Sequence, residues 1–307
     1  MQNILGKVSL EQAKEALLRS GYLLENRLDT ILQRKGFLVE ANTAYPDPEI
    51  GKSRELDIYG MSAIKAGPNE FDWVFSVLLI ECINNPQPVA FITKEPQLGF
   101  LHHHQIKLSG LPVKIIVNNR PAEWESLPDF LGMEKYHHYC KGRVATQFCS
   151  FVKKKSGEEW MAFHDETHFD CFRKLSAASE YFSERHFQSW TFGDNEPINI
   201  EFYYPIVVLQ GELLDIRASK TSLKVVKTDH IQYRRAAIVG NEETQYQIDV
   251  ITERYFSRYL ALVEREVSKT ARLLRRRHAT IRKSINKISR SAARLRSPEK
   301  IKAEMEF

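Results

Sequence analysis

The sequence predicts an α/β protein with a mixed central sheet flanked by helices. Three observations carry that prediction: leucines at helical spacing near the N-terminus, a following series of strand-like runs of which one is apolar on both faces, and a second helical pattern set between strand-like segments. At 307 residues and 43% hydrophobic content, the chain is long enough to bury a full core.

The first element runs from Ser9 to Gly36. Ser9 and Gln12 have the spacing of a capping box, Leu17, Leu24, Leu28 and Ile31 recur every three or four residues, and Gly36 supplies a stop. Glu25 lies on the flank of that apolar stripe, so its carboxylate is directed toward whatever the helix covers; a solvent-facing glutamate is the other reading. Phe37 to Tyr45 reads as a strand. Arg54 to Gly60 reads as a second, with Leu56 and Ile58 facing one way and Glu55, Asp57 and Tyr59 the other. Trp73 to Ile83 is a third. Its run WVFSVLLI suits a central strand covered on both faces, and Leu79, Glu81 and Ile83 share one of them. Asp57 and Glu81 are therefore carboxylates in apolar strands, and each demands a cation or several donors.

Residues 86–160 read as a β-rich insertion, with a hairpin around Ser156 and Gly157. Histidines 102–104 and the pair His137 and His138 are read as polar loop or nucleic-acid contacts in preference to a zinc site, because no cysteine stands at ligand spacing. A helix over 168–187 follows, then a strand over 202–209, two further β segments, and TQYQIDVITE to close the sheet. From Leu260 a helix of about nine turns is predicted, with its pattern broken at the RRRH run. Its apolar seam, Leu260, Val263, Val267, Thr270, Leu274, Ile281, Ile285, Ile288, Ala292 and Leu295, must be covered by the body, a second copy or another subunit. The chain thus divides into 1–255 and a basic helix and tail over 256–307.

Charge separates these parts. Between Arg265 and Lys302 there are fourteen Lys and Arg against two Glu, leaving 30 basic and 37 acidic residues elsewhere. Such a tail can neutralise phosphates, with Arg272, Arg275, Arg276, Arg277, Arg282, Lys283, Lys287 and Arg290 as candidate contacts; docking on the acidic body or an acidic partner is the other reading. Cys82, Cys140, Cys149 and Cys171 form no CxxC pair and read as reduced thiols. With no apolar run long enough to span a bilayer, the expectation is a soluble, cytoplasmic protein without a membrane partner. No Gly-rich phosphate loop, GxSxG or internal repeat is present.

Helix with Glu25, strand, strand with Asp57 in SRELDIYG, strand with Glu81 in LLIECINN: this order resembles the PD-(D/E)XK, or restriction-endonuclease-like, nuclease superfamily, most clearly over residues 9–94. The resemblance implies that Asp57 and Glu81 bind Mg2+ or Mn2+, that Glu25 assists, and that phosphodiester bonds, in DNA first of all, are hydrolysed. Restriction or anti-phage defence is the setting it suggests. The superfamily's lysine stands two residues after the Glu, and here that position is Ile83. Lys94, reaching back from the next strand, is the first candidate replacement, with Lys52 and Lys107 behind it. Without a replacement, the chain would be an inactive nuclease-fold subunit that binds nucleic acid or scaffolds a larger complex.

Overall fold

The structure, a computed structural model, describes residues 7–47, 51–95, 106–117, 123–154, 157, 159–164, 166–188, 197–239 and 242–295. Helices α1 (Leu10–Arg19) and α2 (Tyr22–Arg34) precede strands β1 (Leu38–Asp47), β2 (Lys52–Lys65), β3 (Trp73–Ile83) and β4 (Val89–Lys94). Short strands β5 (Leu108–Leu111), β6 (Lys114–Ile116) and β7 (Trp124–Ser126) lead to α3 (Leu127–Leu131), β8 (Val144–Lys153), β9 (Trp160–Phe163) and α4 (Glu166–Gln188). Then come β10 (Asn199–Leu209), β11 (Leu213–Ala218), β12 (Leu223–Thr228), β13 (His230–Val239), β14 (Glu242–Thr252), α5 (Phe256–Arg276) and α6 (His278–Leu295).

One mixed sheet in the order β1-β2-β3-β10-β14-β13-β8-β4-β11-β12 carries the fold. β1, β2 and β3 are antiparallel neighbours, and β10 joins β3 in parallel after the α4 crossover. β3 is central, as its apolar run predicts: Val74, Leu78 and Ile80 enter a core shared with α2 and α5, while Val77 and Leu79 enter a second core with Phe172, Leu175 and Phe182 of α4.

Three expectations are revised. The N-terminal pattern is two helices, because Ser20 is extended (φ −92°, ψ 163°) and its N–H and hydroxyl both turn back to the Leu17 carbonyl. The Ser9–Gln12 capping box does form, and Leu24, Leu28 and Leu32 are buried, but Leu17 is exposed. Residues 86–160 do not stand apart: β4 and β8 are strands of the main sheet, and β5 pairs with β10. The last strand, β14, enters the middle of the sheet between β10 and β13 instead of closing its edge. The C-terminal helix breaks at Arg277 (φ −103°, ψ 12°), and the body covers its seam through Leu260, Val263, Val267, Leu274, Ile281 and Ile285. That covering leaves this stretch of the seam without a free surface for a homodimer or another subunit; the side chains from Ile288 onward, Arg290 included, lie outside the described residues.

No helix among the described residues is long and apolar enough to cross a membrane.

Candidate active site at the parting of two strands

Ladder pairing between β2 and β3 extends to Ile58 and Ile80, and one step further stand Asp57 and Glu81. There the Asp57 side chain takes over from the backbone: its Oδ2 accepts the Cys82 N–H at 2.7 Å. On the other side of β2, Asn42 has a positive φ of 53° between the pairs Ala41–Ile58 and Thr43–Leu56. Asn tolerates that conformation better than most residues. Leu56 packs in the α4 core and Ile58 in the α5 core. The strand changes face at Asp57, so strict alternation, which puts Leu56 and Ile58 together, fails at that residue.

Glu25 arrives in the first turn of α2. Gly21 places that turn beside the end of β3: a Cβ there would stand 3.6 Å from Glu25 Oε1 and 3.8 Å from the Cys82 carbonyl oxygen, both ordinary contact distances. Asn84 Nδ2 donates to the Ser20 carbonyl at 3.4 Å, tying β3 to the same turn. The third carboxylate, Glu81, is buried at 1% exposure on the α4 face. Its Oε2 lies 3.1 Å from Lys174 Nζ, and its Oε1 has no hydrogen-bond partner among the described residues. Lys174 belongs to α4, and the buried Tyr45 hydroxyl donates to its backbone carbonyl at 2.9 Å, fixing that turn against β1. Arg54 flanks this arrangement, paired with Asp47 and with Asp170 at 3.1 Å.

The electrostatics are those of a site short of positive charge. Burial pushes Glu81 up to about 8, the Asp57 charge adds to the shift, and Lys174 opposes it. Asp57 is raised by burial against the Cys82 N–H and Lys174; Glu25 is raised by burial and by Asp57. Burial alone would lower Lys174, but Glu81 and Asp57 hold it above the ordinary lysine value.

Glu25, Asp57 and Glu81 are therefore brought together as the sequence predicts, and Lys94 is not brought to them. It is exposed at the end of β4, five strands along the sheet from β3, roughly 24 Å at ordinary strand spacing. Lys52 is exposed at the start of β2, and Lys107 pairs with Glu180 at 2.7 Å. Ile83, at the superfamily's lysine position, packs in the α4 core. The lysine that reaches Glu81 is Lys174, which the sequence reading passed over. The one local signal was its place on the flank of the apolar stripe of α4, three residues after Cys171, four before Ala178 and seven before Tyr181.

The basic residues of the C-terminal helices lie elsewhere. Arg275 donates to the Lys65 carbonyl at 2.5 Å, at the end of β2 remote from Asp57 by eight residues, or roughly 26 Å. Arg282 and His278 both bond Asp72, at 3.1 Å each, and Arg277 stacks on Phe130. Docking on the acidic body thus accounts for part of the basic helix. Arg272 and Arg275, with Arg265 and Lys269, line an open groove of about 820 Å³ on α5. Arg276 and Lys283 are exposed, and Lys287 is half-buried.

A second polar cluster was not foreseen. His138, expected at a polar surface, is buried at 7% exposure, and His137 at 0%. His138 Nδ1 lies 2.8 Å from Glu266 Oε2 and its Nε2 3.0 Å from Asp249 Oδ2. Asp249 Oδ1 meets His230 Nε2 at 2.6 Å, and Oδ2 accepts the Tyr259 hydroxyl at 2.5 Å. Burial would lower His138, but Asp249 and Glu266 push it up to about 10; the same imidazoles hold Asp249 well below the usual carboxylate range. The four contributing segments are distant in sequence, so no local pattern announces them. Histidines 102–104 lie outside the described residues.

Comparison of the chain with protein-family models, with curated proteins and with solved structures found no match.

Proposed function

We propose that the chain is a metal-dependent nuclease of the restriction-endonuclease-like kind, hydrolysing phosphodiester bonds in DNA. The observation that carries this reading is Lys174 Nζ at 3.1 Å from Glu81 Oε2, beside Asp57 and Glu25. It supplies an ammonium group where Ile83 supplies none, and it removes the main argument for an inactive subunit. The order α2, β1, β2, β3, α4, β10, with three antiparallel strands and one parallel, also agrees with the resemblance.

The residues fit a hard divalent cation. Three carboxylates offer oxygen donors, one buried oxygen of Glu81 lacks a partner among the described residues, and the raised carboxylates mark a deficit of positive charge. Asp57 and Glu81 would hold Mg2+ or Mn2+, with Glu25 assisting, and the ion would supply Lewis-acid polarisation and a more acidic bound water. Lys174 orients the attacking water and stabilises the negative charge that develops on the phosphate oxygens. Glu81 holds Lys174 in place and in its charged form, and burial by α4 keeps bulk water from screening the pair. The groove on α5 offers basic side chains for phosphate contacts.

Plasmid and single-stranded DNA incubated with Mg2+ or Mn2+ test this reading. The wild-type chain cuts at least one of them and EDTA stops it, while Asp57→Asn and Glu81→Gln lose roughly a hundredfold or more. Cleavage that persists unchanged in both variants refutes the site.

A further inference from the structure

The geometry points to a second cation site, of a different chemical kind, in the buried cluster beneath α5: we infer that His138 Nε2, His230 Nε2 and the Asp249 carboxylate bind a borderline divalent cation, zinc above all. The three donor groups lie within 4.8 Å of one another and converge from three elements: the 3-10 turn over His138–Cys140, β13 and β14. Two neutral imidazoles and a carboxylate are the donor set that zinc takes, with a fourth position left for water.

Three further observations support an ion. Glu266 accepts from His138 twice, from its backbone N–H at 2.7 Å and at Nδ1 at 2.8 Å. A carboxylate on the outer nitrogen is what orients a metal-bound histidine, and it keeps a proton on Nδ1 when an ion displaces the one on Nε2. Secondly, Asp249 and Glu266 are buried at 0% and 4%, and among the described residues neither forms an ion pair with a lysine or arginine. A dication that takes the place of an imidazole proton keeps both charges balanced. Thirdly, the site has an entrance: the His230 side chain is 18% exposed, with Tyr255 stacked on it at 5.7 Å.

The neighbouring group of His137, His138 and Glu266 also has converging atoms, but its chemistry is wrong. His137 Nδ1 accepts the Tyr139 N–H at 3.2 Å, so the ring proton sits on Nε2, the atom facing Glu266 at 3.6 Å. That nitrogen has no lone pair to give.

The test uses the full chain with Asp57→Asn and Glu81→Gln, which removes the oxygen-donor site from the measurement. This protein is incubated with one equivalent of Zn2+, desalted and analysed for metal; a parallel sample carries Co2+ and is read by its visible ligand-field spectrum. Retention of one ion per chain, a tetrahedral Co2+ spectrum, and loss of both on adding His230→Gln are expected, the affinity falling at least tenfold. Circular dichroism and the melting temperature before metal addition verify that the His230 variant is folded. A chain that retains no ion, or that retains it equally with His230→Gln, overturns the inference and leaves a metal-free network of hydrogen-bonded imidazoles. Because the acid site is disabled throughout, the outcome is independent of whether the protein is a nuclease.

Discussion

Two buried ionic clusters lie against opposite faces of the same sheet, one under α4 and one under α5, and they meet the cost of burial in different ways. In the first, among the described residues, three carboxylates share one lysine and Glu81 keeps an oxygen without a partner, and Glu25, Asp57 and Glu81 are all raised. In the second, both ring nitrogens of His138 meet a carboxylate, and Asp249 is driven down instead of up. The first cluster is therefore short of positive charge among its own groups, and the proposed cation would complete it. The second holds together by its own hydrogen bonds, so an ion there replaces a proton and does not fill a deficit. The donor atoms differ in the same sense, oxygen alone against nitrogen with oxygen, which separates a hard cation from a borderline one.

The largest expected effect comes from breaking the self-sufficient cluster. His138→Leu leaves Asp249 and Glu266 buried without their cation, and the loss of stability should be about 3–5 kcal/mol, measured by urea unfolding in the absence of metal. The raised His138 contributes stability that is full below the ordinary histidine value of 6.5 and is lost as pH rises through about 10. The gap between the variant and the wild type should therefore narrow at alkaline pH; a gap that widens there would show that His138 is held neutral.

At the other cluster the sign reverses. Between about 4.5 and about 8 the folded chain keeps a proton on Glu81 that the unfolded chain has released, so this group's contribution to stability falls as pH rises across that window. Glu81→Gln should accordingly stabilise the metal-free protein at pH 8, by on the order of 1–3 kcal/mol, and be close to neutral at pH 4. Adding Mg2+ should erase that advantage by stabilising only the wild type. A Gln variant less stable than wild type at pH 8 without metal would mean that Glu81 is satisfied by protein groups alone.

How much of this was legible in the sequence follows from the range of each interaction. The carboxylates of β2 and β3 could be read because an acid in an apolar strand is a local anomaly, and Trp73–Ile83 was placed to the residue. Glu25 could be read from its position on a helical stripe. Lys174 was missed because its partner stands 93 residues away, and the alternatives at Lys94, Lys52 and Lys107 were sought along the chain where the sheet order does not bring them. The histidine cluster was hidden for the same reason: His138, His230, Asp249 and Glu266 come together only when β14 inserts into the sheet and α5 lies across it. The N-terminal helix pattern misled because continuing periodicity through Ser20 and Gly21 does not register that Ser20 can cap its own helix.

The account rests on which lysine completes the carboxylate site, and one comparison decides it: the rate of Mg2+-dependent DNA cleavage by Lys174→Met against Lys94→Met, with Mg2+ binding measured in both. The proposed nuclease site predicts that Lys174→Met loses roughly a hundredfold or more in rate while still binding Mg2+, and that Lys94→Met cuts as fast as wild type. Cleavage by Lys174→Met at the wild-type rate, or its loss in Lys94→Met alone, would contradict the account.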